Sequence, residues 1–123
     1  MYQDILDFHH KFEIPLRDKP GFLPDEDMMF RIRCLNEELD ELCEAIRNRD
    51  LIETGDALVD LVYFALGTAA MMGLPFQQMW NEVHGCNMKK VRATSADQSK
   101  RGSALDVVKP TGWEGPSHAR FFD

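Results

Sequence analysis

Residues 31–72 hold two consecutive segments with the length and apolar spacing of long α-helices, and this feature restricts the chain to a helical fold. In the first segment, apolar residues recur in steps of three and four, at Ile32, Leu35, Leu39, Leu42 and Ile46. Such steps place one apolar stripe along a helix. The second segment is apolar around most of its circumference, which is typical of a buried helix. We expect its core stripe to consist of Leu51, Leu58, Val62, Ala65 and Ala69.

Both segments also carry carboxylates close to their apolar residues. At about 100° per residue, Glu38 falls beside the first stripe, Glu41 lies further round, and Glu37 lies one turn before Glu41. In the second segment, Asp56 and Asp60 lie four residues apart on one line. A buried carboxylate without a partner is costly and favours its protonated form. Two such acids facing an acidic partner helix therefore need a positive charge, which a divalent cation with oxygen ligands supplies.

An acidic helix is also typical of a solvated surface. Arg31, Arg33 and Arg47 lie in the first segment and could form ordinary ion pairs with its acids. The first segment alone leaves both interpretations open. The apolar surroundings of Asp56 and Asp60 in the second segment strengthen the metal-site interpretation, and both interpretations remain open.

Length, charge and cysteine content limit the possible functions. The chain has 123 residues, which predicts one domain over 1–123 with a helical core at about 2–90 and an irregular tail at 91–123. Its net charge of -7 argues against a nucleic-acid surface, which needs a basic face, although metal ions can bridge acids to phosphates. Three cysteines without a C-x-x-C pair indicate free thiols and a cytoplasmic location.

The run 57–74 is about as long as a membrane span, but Asp60 and two glycines interrupt it. We therefore expect a buried helix there and no membrane partner.

Proline and glycine positions divide the chain into four predicted helices, at residues 2–12, about 25–47, 50–72 and about 75–87. A connector at 14–24 separates the first two. The fold class predicted from this pattern is all-α, like a four-helix bundle. In the tail we expect a short extended piece at 105–109 and Trp113 held against the body.

Cap residues are expected at two helix starts. Asp25 or Asp27 is the predicted cap of the second helix, and Asp50 followed by Glu53 resembles a capping box before the third.

Potential phosphate donors follow the fourth helix at Asn87, Lys90 and Arg92. Amide and cationic groups at a helix end can hold phosphates. Cations near a helix C-terminus also complement its dipole, so the sequence leaves both roles open.

Histidines and aromatic residues give weaker signals. His84 is expected on a helix surface or in contact with substrate, and Phe8 and Phe12 could stack on a base or belong to the core. No His and Cys pair has zinc-finger spacing, and the Glu-x-x-His pairs of a di-iron bundle are missing.

Three motifs in order resemble the MazG-like and phosphoribosyl-ATP pyrophosphohydrolase-like proteins, the all-α nucleoside triphosphate pyrophosphohydrolases. They are Glu37-Glu38-Leu-Asp-Glu41, then Asp56-Ala-Leu-Val-Asp60-Leu-Val-Tyr63, then Glu82-Val-His84-Gly-Cys-Asn87-Met-Lys-Lys90. Residues 7–12 and 108–113 also resemble small members of this group, so the likeness covers most of the chain.

The resemblance has one departure, in the second helix of the site. The family pattern there is E-x-x-D, and Glu53 with Asp56 satisfies its letters. The residues that follow the family's Asp instead match those after Asp60, and the Glu position is then Ala57. We prefer Asp56 with Asp60 as ligands and keep Glu53 as the alternate.

The resemblance implies hydrolysis of a nucleoside triphosphate to monophosphate and pyrophosphate, as in cleansing of the nucleotide pool. It implies magnesium, or manganese in its place, held by Glu38, Glu41, Asp56 and Asp60, with Glu37, Glu38 and Glu41 in catalytic roles. Asn87, Lys90 and Arg92 would neutralise phosphate charge. It also implies a homodimer or homotetramer. Two alternatives remain, a catalytically silent helical oligomerisation module and a phosphoribosyl-ATP pyrophosphohydrolase-type enzyme.

Overall fold

The computed structural model describes residues 1–122, which form two compact units, Met1–Leu74 and a second that begins at Pro75. The first unit contains helices α1 (Tyr2–Lys11), α2 (Asp25–Arg47) and α3 (Leu51–Met71). The second contains α4 (Phe76–Asn87), strands β1 (Val91–Arg92) and β2 (Val107–Val108), and 3-10 turns at Ala96–Gln98 and Ala119–Phe121. The predicted all-α, bundle-like class is confirmed. The single domain over 1–123 stays a prediction.

Within residues 1–122, every helix is too short or too polar to cross a lipid bilayer.

Helices α2 and α3 form a hairpin joined by the three residues 48–50. The predicted cap at Asp50 is confirmed, because its Oδ1 accepts the Glu53 backbone N–H at 3.0 Å. The return bond of a capping box is not made, since the Asp50 N–H donates to the Ala45 carbonyl at 2.9 Å. The predicted cap of α2 is wrong: its N-cap is Pro24 without a side-chain bond, and Asp25 lies in the first turn, where its charge complements the helix dipole.

The buried face of α2 differs from the predicted apolar stripe. Arg31, Cys34 and Ala45 are buried, whereas Ile32 and Ile46 keep 44% and 53% of their surface exposed. Small residues allow two helices to approach closely, and an arginine can bury its stem while its head group finds partners. Relative to the predicted stripe, α2 is therefore rotated about its axis, and the face containing Arg31 and Cys34 packs against α3.

The core stripe predicted for α3 is also largely wrong. Leu51, Leu58 and Val62 are exposed by 84%, 49% and 47%, and Ala65 is exposed as well. Of that stripe only Ala69 is buried. The other buried residues of α3 are Ala57, Leu66, Gly67 and Ala70. The side of α3 made of small residues therefore packs inside the unit, and the side made of large apolar residues remains half-exposed.

Gly67 marks the point where the three helices of the first unit meet. A Cβ atom there would lie 2.7 Å from Nη2 of Arg31 and 3.1 Å from Nε2 of His9. Arg31 donates from Nε to the Thr68 hydroxyl at 2.9 Å and from Nη2 to the Phe64 carbonyl at 3.0 Å. The missing side chain of Gly67 thus leaves room for a buried guanidinium that joins α2 to α3.

The connector between α1 and α2 attaches to the C-terminal end of α3 through its backbone. The Arg17 N–H donates to the Met71 carbonyl at 3.1 Å, and the Gly21 N–H donates to the Met72 carbonyl at 3.0 Å. Gly73 follows with φ +66°, and a Cβ there would lie 2.7 Å from the Arg17 carbonyl oxygen. Glycine is therefore required for both conformation and space, and the predicted helix end before Gly73 is confirmed.

In the second unit, the irregular tail is attached to α4. The Trp113 indole N–H donates to the Cys86 carbonyl at 2.7 Å, which confirms the expected anchoring of this residue. Glu82 accepts the Ser117 backbone N–H at 3.0 Å and pairs with Arg120. The bond from Ser117 and the pairing with Arg120 hold the Glu82 pKa below its usual range. The expected extended piece at 105–109 contains β2, which pairs antiparallel with β1.

Candidate functional site

The structure brings three of the predicted acids together across the α2–α3 hairpin. Glu38 and Glu41 come from α2 and Asp60 comes from α3. One carboxylate oxygen from each lies within 4.8 Å of the others. Glu38 and Glu41 are three residues apart and therefore neighbours on one helix face. The turn of α2 described above directs that face toward α3.

Glu38 is the residue of this cluster with a buried carboxylate oxygen that lacks a hydrogen-bond partner. This oxygen is Oε2, and leaving it buried without a partner is costly. Burial raises the Glu38 pKa to about 7, with further contributions from a hydrogen bond to Glu41 and from the charges of Glu41, Asp60 and Asp56. Without a cation, a shared proton between Glu38 and Glu41 relieves the repulsion. An unpartnered buried oxygen among three further carboxylates fits the donor set of a hard divalent cation.

Asp56 and Glu53 lie beside this cluster rather than inside it. Asp56 is exposed, and its charge contributes to the raised Glu38 pKa. Glu53 is exposed, and its backbone N–H is bound by Asp50. Both line a cavity of about 280 Å³ at the turn end of the hairpin. Five carboxylates contribute to that lining, from Glu41, Glu44, Asp50, Glu53 and Asp56.

Ala57, which stands where the resembling family has a glutamate, is a buried packing residue of α3. Ala57 is 3% exposed and lies among the small buried residues of α3. The structure thus places Asp60 with Glu38 and Glu41, and it leaves Asp56 one helical turn away. Glu37 is exposed and does not belong to the three-acid group.

Phe8 and Phe12 lie in an exposed aromatic group with a third member. Their ring centroids are 4.8 Å apart, and the Phe8 centroid lies 5.3 Å from that of Tyr63. Phe8 is 38% exposed and Phe12 is 55% exposed, so neither ring is in the core. Tyr63 follows Asp60 by three residues and is therefore its neighbour on α3. Sequence reasoning missed Tyr63 as part of this group, because its contact with Phe8 joins α3 to α1.

The other predicted substrate residues belong to the second unit. His84 and Asn87 are exposed on α4, and Arg92 is exposed in β1. Lys90 lies with its Nζ atom 5.1 Å from the centroid of the Trp113 ring. These residues offer amide, imidazole and cationic groups on one unit.

Comparison with known proteins adds to this geometry. The model of the phosphoribosyl-ATP pyrophosphohydrolase family matches residues 5–87, which include most of α1 and all of α2, α3 and α4. No curated protein sequence matched the chain. The match covers more than half of the chain and contains the Glu38, Glu41 and Asp60 cluster. The chain therefore belongs to the phosphoribosyl-ATP pyrophosphohydrolase family, within the MazG-like all-α pyrophosphohydrolases that cleave phosphoric anhydride bonds.

Proposed function

We propose that the protein hydrolyses nucleoside triphosphates to the monophosphate and pyrophosphate, with a divalent metal ion held by the carboxylate cluster. The unpartnered buried oxygen of Glu38, close to Glu41 and Asp60, is the observation that carries this proposal. The family supports pyrophosphohydrolase chemistry. Magnesium is the proposed ion, with manganese as a substitute, because both favour carboxylate and water ligands.

The proposed ligands are Glu38, Glu41, Asp60 and, from the neighbouring turn, Asp56, with Glu53 as the alternate. A divalent ion at such a site supplies charge neutralisation for phosphate oxygens and acidifies bound water. Glu38 and Glu41 are proposed to act in catalysis through the ion that they hold. Glu37 is proposed as an outer acceptor on the exposed side of α2.

Aromatic rings of the first unit are proposed to contact the base of the substrate. Phe8 and Phe12, together with Tyr63, offer exposed rings that can stack on a base. Asn87, Lys90, Arg92 and His84 are proposed to bind the phosphate groups. Phosphoribosyl-ATP is the second candidate substrate, and the family match favours testing it.

Assembly and location are part of the proposal. The half-exposed apolar side of α3 supports a homodimer or homotetramer. All three cysteines are free thiols, which supports a cytoplasmic location.

The direct test is pyrophosphate release from a panel of ribo- and deoxyribonucleoside triphosphates and phosphoribosyl-ATP, with magnesium and with chelator. We expect metal-dependent release of pyrophosphate with the matching monophosphate. Asp60→Asn should lower kcat/KM by at least about a hundredfold, because it removes a charge from the metal site.

Asp40→Asn is the matched control, since Asp40 is exposed on the same helix as Glu38 and stands outside the three-acid group. It should retain activity. Unchanged activity in Asp60→Asn would overturn the proposed site. No hydrolysis of any substrate by the folded wild-type protein would leave the silent oligomerisation module as the better interpretation.

A further inference from the structure

The second unit contains a basic cavity in a chain that is acidic as a whole. Residues 75–123 carry seven Lys and Arg against five Asp and Glu, whereas residues 1–74 carry seven against sixteen. A cavity of about 470 Å³ in the second unit is lined by Lys90, Lys100, Arg101 and Lys109, with a single acid, Asp106. Positive charge is thus concentrated at one concave place.

The single acid of this cavity does not neutralise the lysines. Asp106 accepts two contacts from Nη1 of Arg101, at 3.0 and 3.1 Å, and one from the Ser99 hydroxyl at 2.7 Å. The Val107 N–H donates to it as well, at 2.9 Å. The Asp106 carboxylate is therefore already bound by Arg101, by the Ser99 hydroxyl and by the Val107 N–H. Across residues 1–122, no carboxylate forms an ion pair with Lys90, Lys100 or Lys109.

Strand pairing brings two of these lysines together. Val91 pairs with Val108 in the antiparallel ladder, and continuing this register by one residue places Lys90 opposite Lys109. The Nζ atoms of both lysines lie 5.1 Å from the centroid of the same Trp113 ring. Like charges directly opposite each other on two strands are destabilising, so this arrangement gains from an anion between them.

A neutral donor is fixed at the same cavity. The Thr94 backbone N–H donates to Oε1 of Gln98 at 2.8 Å, which fixes the orientation of the Gln98 amide. Its Nε2 group then remains as a donor on the lining of the cavity. One amide donor and three lysines give a site for an oxygen-rich anion.

We propose that this cavity binds a chain of two or more phosphate groups without a metal ion. One phosphate group carries about -1.5 to -2 charges at pH 7, so a single one leaves part of the three-lysine charge unneutralised, while two joined phosphates match it. The residues from Gln98 to Lys109 lie beyond the part of the chain that the family model covers. Lys90 is also one of the proposed phosphate contacts of the substrate, so the two proposals share this residue, whereas Lys100 and Lys109 belong to the cavity alone.

The test is calorimetric titration of the full-length protein with inorganic pyrophosphate in the presence of chelator. We expect saturable binding that weakens about tenfold in Lys109→Gln and in Lys100→Gln, the usual effect of losing a charged hydrogen bond. Lys100 is exposed, so its substitution keeps the test valid if Lys109→Gln disturbs the strand pair. Lys19→Gln, an exposed lysine of the first unit, is the matched control and should bind as the wild type does.

Two further experiments distinguish this cavity from the carboxylate cluster and identify the molecule that supplies the phosphates. Glu38→Gln should retain pyrophosphate binding in chelator even where it loses hydrolysis. Displacement of pyrophosphate by a nucleoside triphosphate would support a nucleotide as the source, and resistance to displacement would support free pyrophosphate. The proposal is overturned if pyrophosphate does not saturate, if inorganic phosphate binds as tightly, or if Lys19→Gln weakens binding equally.

A spectroscopic readout follows from the position of Trp113. In Trp80→Phe, Trp113 is the remaining tryptophan, and pyrophosphate should change its fluorescence as the two lysines turn from the ring toward the anion. An unchanged spectrum at saturating pyrophosphate would contradict the proposed location.

Discussion

Glu38 lies on the face of α2 that also buries Arg31 and Cys34, so its carboxylate loses water when α2 packs on α3. The sequence predicted Glu38 beside an apolar stripe, whereas the structure places it within the buried face. This small rotation could not be predicted, because it depends on Arg31 being buried through bonds to Thr68 and Phe64. The rotation changes Glu38 from a surface acid into a group with a pKa of about 7.

This raised pKa predicts how the stability of the metal-free protein depends on pH. Glu38 binds its proton more tightly in the folded chain than at its ordinary pKa of 4.5. Its contribution to folding free energy is therefore present at low pH and is lost as pH rises between 4.5 and about 7. We expect Glu38→Gln to match the metal-free wild type in Tm near pH 5 and to exceed it near pH 8, by thermal denaturation in chelator.

Two comparisons sharpen this measurement. Excess magnesium should raise the Tm of the wild type near pH 8 more than that of Glu38→Gln. Asp40→Asn removes an exposed acid from the same helix and should follow the wild-type profile. Parallel Tm profiles of wild type and Glu38→Gln across this range would contradict the assignment of the pKa shift to Glu38.

At the scale of the helices, their positions were predictable but their buried faces were not. Proline and glycine fixed the ends of the helices to within a few residues, as at Gly73. The stripe argument assumes that the large apolar residues face inward, yet α3 packs through Ala57, Gly67 and Ala70. The small residues of α3 face inward because they let the neighbouring helices approach closely. They also leave space for the side chains of Arg31 and His9.

Gly67 provides the test of this packing. Gly67→Ala would place a methyl group 2.7 Å from Nη2 of Arg31, whose bond to the Phe64 carbonyl restricts its movement. We expect a loss of roughly 1–2 kcal/mol in unfolding free energy, because overpacking outweighs the better helix propensity of alanine. Chemical denaturation measures this loss.

Gly55→Ala is the control in the same helix, where a Cβ would meet nothing within 4 Å. The unfolding free energy of Gly55→Ala should rise by about 0.5–1 kcal/mol, because alanine has the better helix propensity. Equal effects of the two substitutions would show that Gly67 has no special packing role.

At the scale of the whole molecule, the sequence predicted acids that the structure brings close together, but it did not predict the groups beside them. Spacing within one helix predicted that Glu38 and Glu41 are neighbours, and their carboxylates do lie close together. The aromatic group of Phe8 with Tyr63 required knowledge of how α1 lies against α3, and the approach of Lys90 to Lys109 required a strand register. Local periodicity contains neither kind of information.

The exposed side of α3 leads to a prediction about assembly. Val59 is 63% exposed beside Leu58 and Val62, and residues of this kind bury their surface when subunits associate. We expect sedimentation of the wild type to show a dimer or tetramer and that of Val59→Glu to show smaller species with the same helical circular dichroism. Asp18→Asn changes an exposed acid of the connector between α1 and α2, and it should sediment as the wild type does. A wild-type monomer at all concentrations would contradict the proposed assembly.

The hairpin of α2 and α3 also has a consequence for how the chain folds. Glu38, Glu41 and Asp60 lie on one continuous stretch whose helices are joined by only three residues. Contacts between residues near in sequence form quickly, and closing a short loop costs little entropy. We therefore expect the repulsion between these carboxylates to arise early in folding, when a divalent cation would speed the docking of the two helices.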